Sequence, residues 1–395
     1  MARENQVVQS FFVSLFPAHF KPRKRSTSSS RPELGIDPFP HHLQEVSEKS
    51  PFLAQRATST VIPNLRTVLK QTTSRCPLCQ RSCAAEVWRD HGTPAKVWLS
   101  RTCPEHGEID HCIASDARFH WLASGDPRNA CGPGCACPSA TNGNTGALGR
   151  NADKPGTPEM LATCLALIEI VDSCNLACPT CFADSPIGAH GDRLQAYSLE
   201  SIQQRIRGVL DRKGGIEILQ LSGGEPSLHP QLFELLDWIH AEPRIDYTLM
   251  NTNGLRLHRD AAFRQRLGEH ARRGHFQLYL QYDGPDVAGQ LELRGTDLRQ
   301  IKHEVMELCD SEAIPFTLAM TVGTINLDQC WPTAKVGLRH EFCRGVSYQP
   351  LFTSGRSAAA QTRRLNASDV LLSLLNAPNS PLDSRDFTPL PCGDP

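Results

Sequence analysis

The stretch that most limits how this chain can fold runs from Ile168 to Ser185. An apolar run, Ile-Glu-Ile-Val, stops at Asp172-Ser173, and three cysteines follow at Cys174, Cys178 and Cys181, spaced C-x3-C-x2-C, with Phe182 directly after the third. The apolar run has the length and β-branched character of a buried strand. Three thiols so close together in a strand-end loop must either cross-link or share a metal.

Cysteine usage across the chain decides between these. Twelve of the 16 cysteines lie between Cys76 and Cys181. A disulfide framework needs an oxidising compartment, and nothing at the N-terminus has the layout of a secretory signal. The apolar piece Phe11–Phe16 is short, and the basic cluster Lys21–Arg25 follows it instead of preceding it. Metal ligation in a reducing cytoplasm is therefore expected. With 41 basic and 42 acidic residues, no global charge bias points to nucleic acid. No apolar run approaches the ~20 residues that span a bilayer.

Residues 1–65 are rich in Ser, Pro and Arg, which predicts a disordered or low-complexity tail. Residues 66–160 form a cysteine-rich module. Within it, Cys76-Pro-Leu-Cys79 and Cys103-Pro-Glu-His106 bracket a predicted hairpin, the arrangement by which rubredoxins and zinc ribbons build a tetrahedral site. Cys76, Cys79 and Cys103 are the firm ligands. His106, Cys83 and Cys112 compete for the fourth place, and thiolate chemistry alone leaves mononuclear iron and zinc both open. Further on, Cys131, Cys135 and Cys137, with Cys164 more distant, suit a second, fully ligated four-iron cluster.

From 161 to 360 strand and helix patterns alternate. Strands are predicted at 216–221, 246–250, 276–282, 315–322 and 345–350, after the first one before Cys174. Helices are predicted at 199–212, 231–240, 258–270, 296–311 and, interrupted by Pro332, 327–340. Serial strand–helix units imply parallel strands with right-handed crossovers. Six such units predict an α/β fold, a partial (βα)6 TIM-like barrel, carrying the N-terminal Cys-rich metal-binding module. Residues 361–395 form a C-terminal segment with a helix near 368–375 and a lone Cys392.

Three thiolates on a four-iron cube leave one iron free of protein ligands, which suits chemistry better than structure. The loop falls at the C-terminal end of a parallel strand, where ligands bind in such folds. Gly223-Gly224-Glu225-Pro226 ends the second strand at the same side. Its glycines permit close backbone approach and its carboxylate offers an acceptor.

With these motifs together the chain resembles the radical S-adenosylmethionine enzymes. The resemblance implies a [4Fe-4S] cluster on Cys174, Cys178 and Cys181, with S-adenosylmethionine chelating the fourth iron. The Gly223–Pro226 segment would receive its amino group, and Phe182, Asn253, Gln281 and Asp283 would stand near cofactor or substrate. One electron would then split the sulfonium to give a 5′-deoxyadenosyl radical.

The order of cysteine motifs, with Gly345–Arg356 and Asp386–Cys392, is similar to the subgroup containing tetraether lipid synthase and methanopterin-precursor methylase. That implies alkylation, methylation or carbon–carbon coupling at an unactivated carbon of a lipid or heterocyclic substrate, fed by a reductant such as ferredoxin or flavodoxin. An apolar cavity would favour lipid, and clustered polar groups a heterocycle. Three features depart from the subgroup. Cys135 and Cys137 are one residue apart, a Gly/Asn/Pro-rich insertion precedes Cys164, and the chain stops just after Cys392. These raise the expectation of a truncated homologue or of a scaffold or electron-transfer protein as the alternatives.

Overall fold

The computed structural model describes residues 66–123, 165–188, 193–351, 354–356 and 364–387. The expected tail, and Cys131, Cys135, Cys137, Cys164 and Cys392, lie outside the described residues.

The cysteine-rich module is a four-stranded antiparallel sheet, β1 (Thr67–Arg75), β2 (Ser82–Arg89), β3 (Val97–Cys103) and β4 (Gly107–Ala114), in sequential order. The sequence pattern showed only the central hairpin, where Trp88 faces Trp98 across β2 and β3 and the two rings stack at 5.8 Å. The outer strands were missed because each cysteine knuckle is itself a hairpin turn. Cys76–Cys79 joins β1 to β2, and Cys103–His106 joins β3 to β4. Strand β1 is mostly solvent-exposed and carries no apolar alternation to betray it.

The second unit is a six-stranded parallel sheet: β5 (Leu165–Val171), β6 (Ile216–Gly223), β7 (Ile245–Thr252), β8 (Phe276–Gln281), β9 (Phe316–Val322) and β10 (Cys343–Pro350). Neighbours in the sheet are neighbours in sequence, and β5 and β10 form its two edges. This is the expected open (βα)6 barrel. The helices are α1 (Leu199–Lys213), α2 (Leu232–Ala241), α3 (Leu255–Arg259), α4 (Ala261–Arg272), α5 (Val287–Arg294), α6 (Arg299–Ser311), α7 (Cys330–Gly337) and α8 (Ala367–Asn376). On α1, Ile202, Ile206 and Leu210 recur every fourth residue and are fully buried against the sheet.

Three helix boundaries differ from expectation, each for a local reason. The helix expected at 258–270 is two helices, because Asp260 breaks α3 and its carboxylate caps α4 by accepting from Phe263 N at 2.9 Å. The helix expected from 296 starts at Arg299, and a separate α5 precedes it, ended by Gly295 at φ +74°. Pro332 does not interrupt a long helix but sits in the first turn of the shorter α7, where a missing N–H costs little.

The two sheets meet at α8. Asn366, its N-cap, accepts from the backbone and hydroxyl of Ser115 at 3.4 and 3.3 Å, and Phe119 inserts into the barrel core.

Candidate functional site

In the antiparallel sheet, Cys76, Cys79, Cys103 and His106 bring their ligand atoms within 4.8 Å of one another. His106 Nδ1 stands 3.6 Å from Cys76 Sγ and 3.5 Å from Cys103 Sγ, and Cys79 Sγ stands 3.8 Å from Cys103 Sγ. A tetrahedral ion bonded at about 2.3 Å to sulfur and about 2.0 Å to nitrogen spaces its ligands about 3.5–3.8 Å apart, so the four residues fit one. Of the three candidates for the fourth place, it is His106 that joins the group. Cys83 packs beside the group without joining it, and Cys112 donates to Ala114 O at 3.4 Å. The hydrogen bond with His106 pulls the Cys103 thiol down to about 6, which favours the thiolate that a metal needs.

At the barrel's C-terminal end the cysteine loop is tightly pinned. Cys174 N donates to Pro186 O at 2.9 Å, and Gly188 N donates back to Cys174 O at 3.1 Å. Thr180 Oγ1 reaches Leu293 O of α5 at 2.9 Å. Two donors face sulfur: Ser185 N lies 3.5 Å from Cys181 Sγ and Asn253 Nδ2 lies 3.9 Å from Cys174 Sγ. Burial, with help from the Glu225 charge, pushes the Cys174 thiol up to about 12. A thiolate there needs a compensating cation, and N–H groups directed at sulfur are what an iron–sulfur cluster uses, so the donor set fits the expected group. Phe182 is half exposed beside the loop.

The Gly223–Pro226 turn has a structural part beside the one its sequence suggested. A Cβ on Gly223 would fall 2.0 Å from Val171 O, and one on Gly224 would fall 2.2 Å from Ser173 O. The glycines therefore admit the backbone of β5, not only a ligand. Gly224 N donates to Val171 O at 2.7 Å and Glu225 N to Ser173 O at 3.0 Å, locking this turn to the residues that launch Cys174. The Glu225 carboxylate is buried and already engaged. It accepts from Thr252 Oγ1 at 2.8 Å, Asn253 N at 2.7 Å and Ser227 N at 3.2 Å. It ties the ends of β6 and β7 together.

Asn253, Gln281 and Asp283 are indeed neighbours. Asn253 Nδ2 donates to Asn175 Oδ1 of the cysteine loop at 2.7 Å. Gln281 donates to Asp283, and Asp283 is fully buried in a two-pronged pair with Arg294 at 2.6 and 2.8 Å. The charge of Arg294 also acts on Cys178. Lys302 of α6, fully buried, donates to Asn253 O and, at 2.8 Å, to Gln281 Oε1. Burial pushes its amine down to about 7. Sequence reasoning missed Arg294, Lys302 and Thr252, because they come from a helix end, a helix interior and a strand end, far apart in the chain. The result is a polar belt of alternating charge, Glu225, Lys302, Asp283 and Arg294, across the ends of β6 to β9.

A cysteine loop and a Gly-Gly-Glu turn on the first two strands of an open parallel barrel define a class, and the comparisons agree. Residues 168–336 match the radical SAM superfamily, and residues 68–115 match the HMPTM N-terminal zinc ribbon domain. The barrel belongs to the radical SAM superfamily, and the chain joins it to an N-terminal zinc ribbon. Among curated proteins it is similar to 7,8-dihydro-6-hydroxymethylpterin dimethyltransferase of Methanocaldococcus jannaschii, at 25% identity over 342 residues, 82% of this chain and 61% of that one. It is also similar to PqqA peptide cyclase of Ruegeria pomeroyi, at 32% identity over 52% of this chain and 54% of that one. The chain thus spans little more than half the length of these relatives. Among solved structures, Streptococcus suis SuiB bound to S-adenosylmethionine aligns at 16% identity and TM-score 0.40, over 51% of this chain and 44% of that one.

Proposed function

We propose that this protein is a radical enzyme that holds a [4Fe-4S] cluster on Cys174, Cys178 and Cys181 and methylates a pterin-like heterocycle. A cluster bound there supplies the electron that splits S-adenosylmethionine and releases a 5′-deoxyadenosyl radical able to take a hydrogen atom from substrate. The protein's residues position and shield. Glu225 and the two glycines fix the turn against the cysteine loop. Asn253 holds Asn175 and faces the Cys174 sulfur. Asp283 orients Arg294 toward Cys178, whose thiolate it would help to hold.

The observation that carries the choice of substrate is the polar belt of Asn253, Gln281, Asp283, Arg294 and Lys302 at the strand ends. A lipid chain needs an apolar wall, whereas these groups, paired among themselves, make the mouth polar, which favours a heterocycle. The pterin named for the archaeal relative, and the ribbon shared with its family, support the same choice. Zinc is the metal we assign to Cys76, Cys79, Cys103 and His106, in a structural role, since all four positions are protein ligands. A small reducing protein such as ferredoxin or flavodoxin would feed the cluster in the cytoplasm, where such thiols stay reduced. The second cluster expected on Cys131, Cys135, Cys137 and Cys164 remains part of this proposal. Among the described residues no helix is long and apolar enough to cross a membrane.

Anaerobic reconstitution with iron and sulfide, followed by dithionite and S-adenosylmethionine, tests the reading. We expect 5′-deoxyadenosine from the wild type and none from Cys178→Ala. A spectroscopically intact cluster that yields no 5′-deoxyadenosine would sink it. A methylated dihydropterin, set against an unchanged lipid acceptor, tests the substrate class.

A further inference from the structure

The barrel is open, and its edge strands β5 and β10 are not paired with each other. One short segment crosses between the two ends. Ser354-Gly355-Arg356, shortly after β10, lies directly on the cysteine loop that follows β5. Arg356 N donates to Cys181 O at 2.9 Å, Arg356 Nε to Cys178 O at 3.2 Å, Arg356 Nη1 to Ser185 O at 3.0 Å, and Ser354 Oγ to Phe182 O at 3.4 Å. Gly355 has φ +59°, and a Cβ there would lie 2.3 Å from Cys181 O, so only glycine lets the strap sit this close. Asp184, on the outer side, stands 3.7 Å from Nε.

The remaining nitrogen is the informative one. Arg356 Nη2 is buried and has no hydrogen-bond partner among the described residues. A buried guanidinium donor without an acceptor is costly, and native structures rarely tolerate one without a use. Its fellow nitrogens hold the carbonyls of Cys178 and Ser185, so the guanidinium sits against the loop that presents the three thiols. We propose that Arg356 is a positioning residue for that loop, and that its free Nη2 donates to a sulfur of the iron–sulfur group the loop encloses. Such a donor stabilises the extra negative charge of the reduced cluster and raises its reduction potential. The inference rests on the proposed cluster. A purely structural strap would use the same carbonyl bonds and leave the potential unmoved.

The test uses the full chain, reconstituted anaerobically, with 15N-labelled arginine. Pulsed EPR of the reduced wild type should show a 15N coupling to which Arg294, beside Cys178, also contributes, and Arg356→Gln should remove the Arg356 share of it and lower the midpoint potential, with iron content retained. Arg356→Lys, which keeps a cationic donor, should recover part of the potential. Arg244→Gln, which removes an exposed arginine paired with Glu242 just before β7, should leave coupling and potential as in wild type. A loaded wild type without 15N coupling, or an Arg356→Gln variant with unchanged coupling and potential, overturns the inference. If Arg356→Gln takes up no iron, Arg356→Lys decides, and an unchanged coupling there overturns the inference. A wild type that takes up no cluster fails the proposed function instead, so the two failures are distinct.

Discussion

Replacing Gly224 with alanine is the sharpest perturbation the site offers, because it adds one carbon at a known place. That carbon would lie 2.2 Å from Ser173 O, 2.5 Å from Asp172 O and 2.5 Å from Ser173 C, whereas ordinary contacts begin near 3.4 Å. All three neighbours are backbone, so no side chain can swing aside. The turn and the β5 end must part by about 1 Å, which takes Gly224 N–Val171 O, now 2.7 Å, and Glu225 N–Ser173 O, now 3.0 Å, to or beyond the hydrogen-bonding limit. Two such bonds at about 1 kcal/mol or somewhat more each, with about 1–3 kcal/mol of overpacking strain, put the loss at about 3–5 kcal/mol. That is a large share of the about 5–15 kcal/mol that stabilises a domain. Urea unfolding measures the loss, and iron content after reconstitution reports whether the cysteine loop keeps its shape. We expect both to fall. Gly208→Ala on α1 is the control. There the one neighbour is the flexible tip of Arg212 at 3.4 Å, and a helix-interior alanine should stabilise by up to about 1 kcal/mol. A Gly224→Ala protein within about 1 kcal/mol of wild type, with full iron, would refute the close-approach argument.

Other outcomes follow from the same geometry. Cys79→Ser or His106→Ala should release the ribbon metal to a chelator, while Cys83→Ser should retain it, as metal analysis of purified protein would show. Asp283→Asn leaves Arg294 charged and buried without its partner, so unfolding measurements should show a loss of about 3–5 kcal/mol. Lys302 gives a pH signature. Its folded amine titrates near 7, well below the ordinary lysine range, so between about pH 7 and 10 the unfolded chain holds the proton that the folded chain has released. Stability therefore rises with pH across that window, by at most about 1.4 kcal/mol per pH unit from this group. Below about pH 7 both states are protonated, the cost of burying the charge is felt in full, and the slope vanishes. Lys302→Met should remove this component from the urea midpoint measured between pH 6 and 9; an unchanged slope would place the proton elsewhere.

What the amino-acid sequence determined by itself is whatever depends on near neighbours. The alternating patterns of 165–350 specify strands and helices because burial on one face imposes a local period, and serial alternation leaves few topologies open. Cys174, Cys178 and Cys181 are legible because one short loop carries all three, and Cys76, Cys79 and Cys103 because knuckle spacing is itself the signal. The tertiary structure decided the rest, since those choices depend on which distant residues meet. His106 won over Cys83 and Cys112 through the pairing of β3 with β4, which turns the second knuckle back over the first. The Gly223-Gly224 pair serves the approach of β5, and Glu225 spends its carboxylate on β7, because parallel strands joined by a helix bring these ends together. Arg294, Lys302 and Arg356 had no motif to announce them. Their roles exist only once α5, α6 and the strap after β10 are folded over the same mouth, where burial makes each charge answer to a partner.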